Sequence, residues 1–130
     1  MRSQYSPESL IAPTTVHVVN LEGIYPNRVD LYMREAANAP MVTLTGASAA
    51  AVARLWRQLP KGEQSRCHIP PFGLRFLLDD KVYCQASICW KCDNIFGEID
   101  GQPFAYDFDS QHAVSQSLLS EVKAAFTLGN

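Results

Sequence analysis

Apolar and polar positions along this chain change period several times, and each change marks an element. Val16, Val18 and Val19 within Thr14–Leu21 predict a first strand, followed by a Gly23–Asn27 turn that contains Pro26. Val29, Leu31 and Met33 then alternate with Arg28, Asp30 and Tyr32, the period-two pattern of a strand with one face on a core. Val42 and Leu44 repeat that pattern with Thr43 and Thr45 outward. From Ala47 to Leu59 the period lengthens. Val52, Leu55, Trp56 and Leu59 fall on one stripe of an amphipathic helix, with Thr45 or Ser48 as candidate caps. Pro60 ends the helix, because proline disfavours helical geometry in the residue before it and has no N–H to donate.

Beyond a polar loop at Lys61–Ser65, Phe72, Leu74, Phe76 and Leu78 alternate with Gly73, Arg75 and Leu77. After Asp79-Asp80-Lys81, Val82, Cys84, Ala86, Ile88 and Trp90 alternate with Tyr83, Gln85, Ser87 and Cys89. A two-residue turn at Asp79-Asp80 would set Phe76 opposite Tyr83 and mix the faces. A three-residue turn pairs Phe76 with Cys84 and Leu78 with Val82, and it is expected because a one-residue slip would expose a whole apolar face. A second hairpin, Asn94–Ile99 with Gln102–Phe108, closes at Asp100-Gly101, whose residue types suit the positive φ angles of a type I′ turn. It places Ile95, Ile99, Phe104 and Tyr106 on one face. The last element is a helix over Gln111–Phe126 with Ser110 as cap and Ser115, Leu118, Leu119, Val122 and Phe126 buried. The expected fold is therefore α+β, an antiparallel sheet of hairpins with two amphipathic helices packed on it, in one domain preceded by a polar lead-in over residues 1–13.

Composition fits that picture. A chain of 130 residues, 47% hydrophobic and 18% charged, is long enough to bury a single core without covalent help. The N-terminal run lacks the apolar stretch of a secretory signal, and no stretch is long and apolar enough to cross a bilayer, so a cytoplasmic protein with no membrane role is expected. In that compartment a disulfide is the least favoured use of the four cysteines. Net charge is −2 but uneven. Arg54, Arg57, Lys61, Arg66 and Arg75 against Glu63 leave the middle basic, whereas from residue 76 on eight acids face Lys81, Lys91 and Lys123. No continuous basic surface is available for nucleic acid.

The most pointed chemistry is Cys89-Trp90-Lys91-Cys92. Cys84 shares a face with Phe76, Ile88 and Trp90 and reads as a small buried hydrophobe, whereas Cys89 points the other way with Ser87 and Gln85. Carried backward, the hairpin ladder would bring residue 67 to residue 93, so Cys67 and His68 arrive at the end that holds Cys89 and Cys92. In an extended strand Cys89 and Cys92 would stand roughly 10 Å apart. A disulfide needs Cα atoms within about 7 Å. Asp93-Asn94 tolerates left-handed geometry and so favours a turn that brings the two together. Cys67, His68, Cys89 and Cys92 have the ligand types for zinc, but the adjacency of Cys67 and His68 departs from the usual spacing. A thioredoxin-like role would need a helix after the motif, where a strand is expected. His17 and His112 are isolated, which suits solvated or capping roles. Arg75, outward beside Gln85, is free to pair with an acidic neighbour. No hydrolase, dinucleotide, P-loop or metalloprotease motif occurs.

The stretch Cys67-His68-Ile69-Pro70-Pro71-Phe72-Gly73-Leu74-Arg75-Phe76, with Ser87-Ile88-Cys89-Trp90-Lys91-Cys92-Asp93-Asn94, resembles a set of short uncharacterised bacterial proteins. Their pattern is C-H-x-P-x-[FY]-G-L-R-F … S-x-C-[WF]-x-C-[DN]-N, and the likeness, which takes in Leu55–Pro60, covers roughly residues 43–108. Cys67, His68, Cys89 and Cys92 belong to the recurring pattern and Cys84 does not. Small proteins of this kind are similar to immunity proteins that neutralise toxins, which implies a non-enzymatic domain binding a basic toxin through Asp79, Asp80, Asp93, Glu98 and Asp100. The alternatives are a small zinc or thiol-redox protein using Cys67, Cys89 and Cys92, and an enzyme with His68 as general base.

Overall fold

Six of the seven predicted strands form, and they hydrogen-bond into one antiparallel sheet. The computed structural model describes residues 5–128, so the first four residues of the expected lead-in lie outside it. The strands are β1 (Thr15–Asn20), β2 (Met41–Thr45), β3 (Phe72–Leu78), β4 (Lys81–Cys89), β5 (Asn94–Ile99) and β6 (Gln102–Asp107). Their order in the sheet is β2-β1-β3-β4-β5-β6, and every neighbouring pair is antiparallel. The helices are α1 (Tyr32–Glu35), α2 (Gly46–Arg57) and α3 (Ala113–Leu128). The protein is thus an α+β fold.

One face of the sheet carries the main core. Val52, Trp56 and Leu59 around α2 and Leu118 and Val122 of α3 bury against Val16, Val18, Leu74, Phe76, Cys84, Ala86, Ile88, Ile95 and Phe104. Leu55, expected in the same stripe, is half-buried. Trp56 meets Phe76 edge to face at 5.1 Å between ring centroids, and its indole N–H donates to the Tyr5 hydroxyl at 2.9 Å. Tyr5 also stacks on Phe104, and Leu10 is buried, so the N-terminal segment is part of the core and not a polar tail.

The opposite face has a smaller apolar layer of Val19, Leu21, Tyr32, Met33 and Ala36. Here the sequence reading needs its largest correction, because Arg28–Met33 is not a strand. A 3-10 turn over Val29–Leu31 leads into α1. Tyr32, Met33 and Ala36 are all buried, whereas alternation would have sent Tyr32 and Met33 to opposite sides. Both edges of β1 are already taken by β2 and β3. The segment instead covers the second face, and Met33 packs so closely over Gly73 that a Cβ there would collide with its sulfur.

The β3–β4 hairpin reconciles two registers that looked exclusive. Its turn has two residues, Asp79 and Asp80, with φ of 47° and 69°, and pairs Leu78 with Lys81. Phe76 nevertheless faces Cys84, because a bulge beside Phe76 and Leu77 absorbs one residue of β4. The three-residue turn is therefore replaced by a tighter turn plus a bulge, and the face assignment of Cys84, Ala86 and Ile88 survives. At the other hairpin Asp100 and Gly101 have φ of 49° and 79°, and Ile95 pairs with Tyr106 as expected.

Helix starts differ in detail from the expected caps. Thr45 occupies the cap position of α2 with extended backbone, yet its side chain makes no capping bond. Ser110 does not cap α3. The Val114 N–H donates to His112 Nδ1 at 3.1 Å, and the His112 carbonyl accepts from Gln116, which gives His112 the capping role. Arg75, beside Gln85 as expected, donates to the Ala36 carbonyl at 3.3 Å and not to an acid.

Candidate functional site

β4 ends at Cys89, paired with Asn94, and residues 90–93 form a tight loop that returns the chain as β5. Asp93 takes φ of 57°, the left-handed geometry its side chain tolerates. Trp90 leaves the loop toward the core and donates from its indole to the Ser115 carbonyl at 2.9 Å. Within the loop the Cys92 N–H donates to Cys89 Sγ at 3.1 Å, so the two cysteines are brought together as the Asp93-Asn94 pair suggested. They are not bonded to each other. Cys92 forms a disulfide with Cys67, with Cα atoms 5.5 Å apart, and Cys89 and Cys84 are free thiols. The least favoured use of the cysteines is thus the one the fold contains, and the reason is local geometry: the ladder carried backward from Phe76–Cys84 misses the true partner by only one residue.

Cys67 is exposed, whereas Cys92 and Cys89 are each 0% exposed. Burial pushes the Cys84 thiol, in the main core, up to about 12, so it is inert at neutral pH.

Next to the disulfide lies a buried polar cluster. His68 is 7% exposed, Asn94 2% and Ser87 1%. His68 Nδ1 stands 2.6 Å from Asn94 Oδ1, and Nε2 stands 2.8 Å from Ser87 Oγ. Asn94 donates from Nδ2 to the Cys67 carbonyl at 2.7 Å, which turns its Oδ1 toward the ring and makes Nδ1 the protonated nitrogen. The Ser87 hydroxyl also reaches the Phe96 carbonyl at 3.2 Å. Tyr32 and Phe96 contact the imidazole edge-on, and the Tyr32 hydroxyl donates to the His68 carbonyl at 3.3 Å. Burial holds the His68 pKa below its usual value, opposed by the bond to Asn94.

A serine, a histidine and an amide in series have the connectivity of a nucleophile, its base and an orienting group. Their burial gives the arrangement a different purpose. With Ser87 at 1% exposure, the hydroxyl acts as a bond in the scaffold. Sequence reasoning selected His68 but passed over Ser87, Asn94 and Tyr32. The first two were visible in the recurring S-x-C and [DN]-N positions, and Ser87 lies on the face of Cys89. Tyr32 could not be found while its segment was read as a strand.

The four residues with ligand types for zinc meet here in a way that does not fit a tetrahedral set. Two of the sulfurs are bonded to each other and both His68 nitrogens have partners. Among the described residues no group of three His, Cys, Asp or Glu side chains is close enough to hold a metal ion. The five acids expected on a contact face are divided. Asp79, Asp80 and Asp100 occupy the two hairpin turns at one end of the sheet. Glu98 stands near that end, held by Gln85 at 2.5 Å and Arg34 at 3.5 Å. Asp93 lies in the β4–β5 loop at the opposite end, where its carboxylate accepts from the Ser110 N–H.

Neither protein-family models nor curated proteins nor solved structures give a match to this chain. Function is therefore argued from the site alone. Among the described residues, no helix is long and apolar enough to cross a membrane.

Proposed function

We propose that the protein is a non-enzymatic binding domain of immunity type, built to present a surface to another protein. One observation carries the reading: the residues of the Cys-His and CxxC motifs with the most chemical capability are consumed in the scaffold. His68, Ser87 and Asn94 are buried with their polar atoms bonded to one another, and Cys92 is tied to Cys67. A site for catalysis needs a base within reach of substrate, and here that base faces inward.

The surface that remains most distinctive is the acidic hairpin end of Asp79, Asp80 and Asp100, whose charge complements a basic partner such as a toxin domain. Asp93 belongs to a structural turn and drops out of that surface. The compartment is proposed differently from the cytoplasm expected at first, because disulfides persist in oxidising surroundings. The test is capture from lysate of the native host with two baits, wild type and Asp79→Lys/Asp80→Lys/Asp100→Lys. A basic protein retained by the first and lost from the second is expected. Identical capture profiles from the two baits would remove the acidic end from the proposal, and a soluble activity lost on His68→Asn with the fold intact would overturn the non-enzymatic reading.

A further inference from the structure

Three cysteines of different exposure and bonding state converge on one loop, and the binding reading uses only two of them. The disulfide joins an exposed residue, Cys67, to a fully buried one, Cys92. The third sulfur, Cys89 Sγ, is a free buried thiol that accepts the Cys92 N–H at 3.1 Å. It therefore touches the backbone of the residue whose sulfur is already oxidised. A structural staple needs no free thiol at its inner end. Moreover, Cys89 and Cys92 lie three positions apart across a closed turn, a spacing that brings such a pair into disulfide range once the chain bends.

We infer that Cys67, Cys92 and Cys89 form an internal thiol–disulfide exchange site, in which Cys89 takes over Cys92 and delivers Cys67 to the surface as a free thiol. Cys89 is buried at rest, so the step begins when the loop over residues 90–93 opens: Cys89 then loses its proton to water, and the thiolate attacks Cys92 Sγ. The Cys89–Cys92 bond forms as the Cys67–Cys92 bond breaks. The electron pair of the broken bond leaves on Cys67 Sγ, which takes a proton from solvent, so the number of disulfides and thiols is unchanged and no oxidant or reductant is consumed. Cys67 is the suitable leaving sulfur because its thiolate emerges at the exposed end of the bond. The Ser65 hydroxyl stands 3.7 Å from Cys67 Sγ, a polar neighbour for the departing sulfur.

The polar cluster gives the exchange a defined product. Asn94 holds the Cys67 carbonyl at 2.7 Å, Tyr32 holds the His68 carbonyl, and the His68 ring is bonded on both sides. None of those bonds passes through the disulfide. After exchange the segment stays seated, and the Cys67 thiol is presented from a fixed position, ready to attack an incoming disulfide of a protein or small molecule.

The experiment is native alkylation of the intact oxidised protein with iodoacetamide in thiol-free buffer, quenched with acid and mapped by mass spectrometry. Label accumulating on Cys67, in molecules that carry a Cys89–Cys92 disulfide, is expected, with Cys84 unlabelled. Cys89→Ser should slow Cys67 labelling by on the order of tenfold or more, because the attacking sulfur is gone. Partly reduced wild type and Cys92→Ser serve as controls in which Cys67 is labelled at once. Three outcomes overturn the inference: Cys67 unlabelled in the oxidised wild type while labelled in the controls, equal labelling rates with and without Cys89, or Cys84 labelled in step with Cys67, which marks global unfolding. None of these outcomes depends on a partner binding the acidic end, so failure here leaves the binding proposal standing and failure there leaves the exchange site standing.

Discussion

The two faces of β4 solve the same problem by different physics. On one, Cys84, Ala86 and Ile88 are buried among apolar side chains of α2, α3 and neighbouring strands. On the other, Gln85, Ser87 and Cys89 meet Glu98, His68, Asn94 and the Cys92 amide through directional bonds, and a disulfide closes the far end. The first face is held by area removed from water, which tolerates any well-packed substitution of similar volume. The second depends on complete pairing, because a buried donor or acceptor left alone costs its full desolvation. Truncations on the apolar side should therefore scale with lost volume, and those on the polar side with the number of partners stranded.

Trp56→Ala tests the apolar side at its largest residue. It removes a fully buried ring and the donor to the Tyr5 hydroxyl, and a loss of about 4 kcal/mol is expected by urea denaturation. A loss no greater than that of a surface substitution would show that the α2 face contributes little. Cys67→Ser removes the staple across a sequence separation of 25 and should cost about 3 kcal/mol through the freed unfolded chain. Reductant should lower wild-type stability by a similar amount and leave the variant unchanged, and a reductant-insensitive wild type would contradict the pairing. His68→Ala strands Asn94 Oδ1 and leaves Ser87 Oγ with the Phe96 carbonyl as partner, and should cost about 2 kcal/mol, against about 1 kcal/mol for Ser87→Ala, which removes the partner of one ring nitrogen. Equal costs would mean that the cluster does not act as a network.

The subtlest difference is in pH dependence. Burial lowers the pKa of His68, and burial followed by the Arg75 charge lowers that of His17, from an unfolded value of 6.5. The folded state binds fewer protons than the unfolded one below that value, so stability is constant above it and falls as pH drops through 6.5 toward the folded-state pKa values. The unfolding midpoint in urea should decline between pH 7.5 and 5, and His68→Gln should shallow the decline, leaving the part due to His17. An unchanged slope in His68→Gln would assign the effect elsewhere.

Much of the polar face was legible in fragments. Its occupants followed from strand alternation, which put Ser87 and Cys89 on one side and Cys84 on the other, and from the ladder that brought Cys67 and His68 to the loop. Their bonding was not legible, because a compartment argument set disulfides aside and nothing in spacing chooses Cys67 over Cys89 as the partner of Cys92. The α1 segment misled for a related reason. Val29, Leu31 and Met33 satisfy a two-residue period, and over so short a stretch a 3-10 turn followed by a single helical turn buries Met33 equally well.

Periodicity by itself determined all six strands, both long helices and the side of the sheet each strand residue faces, because burying an apolar stripe is a local demand repeated at every turn or pleat. The tertiary structure alone decided which element covers the second face, how a tight Asp79-Asp80 turn coexists with the Phe76–Cys84 register, and which sulfur Cys92 holds. Those choices depend on which strand edges are already occupied and on a few ångströms between residues far apart in the chain, and hydrophobic pattern carries no information about either.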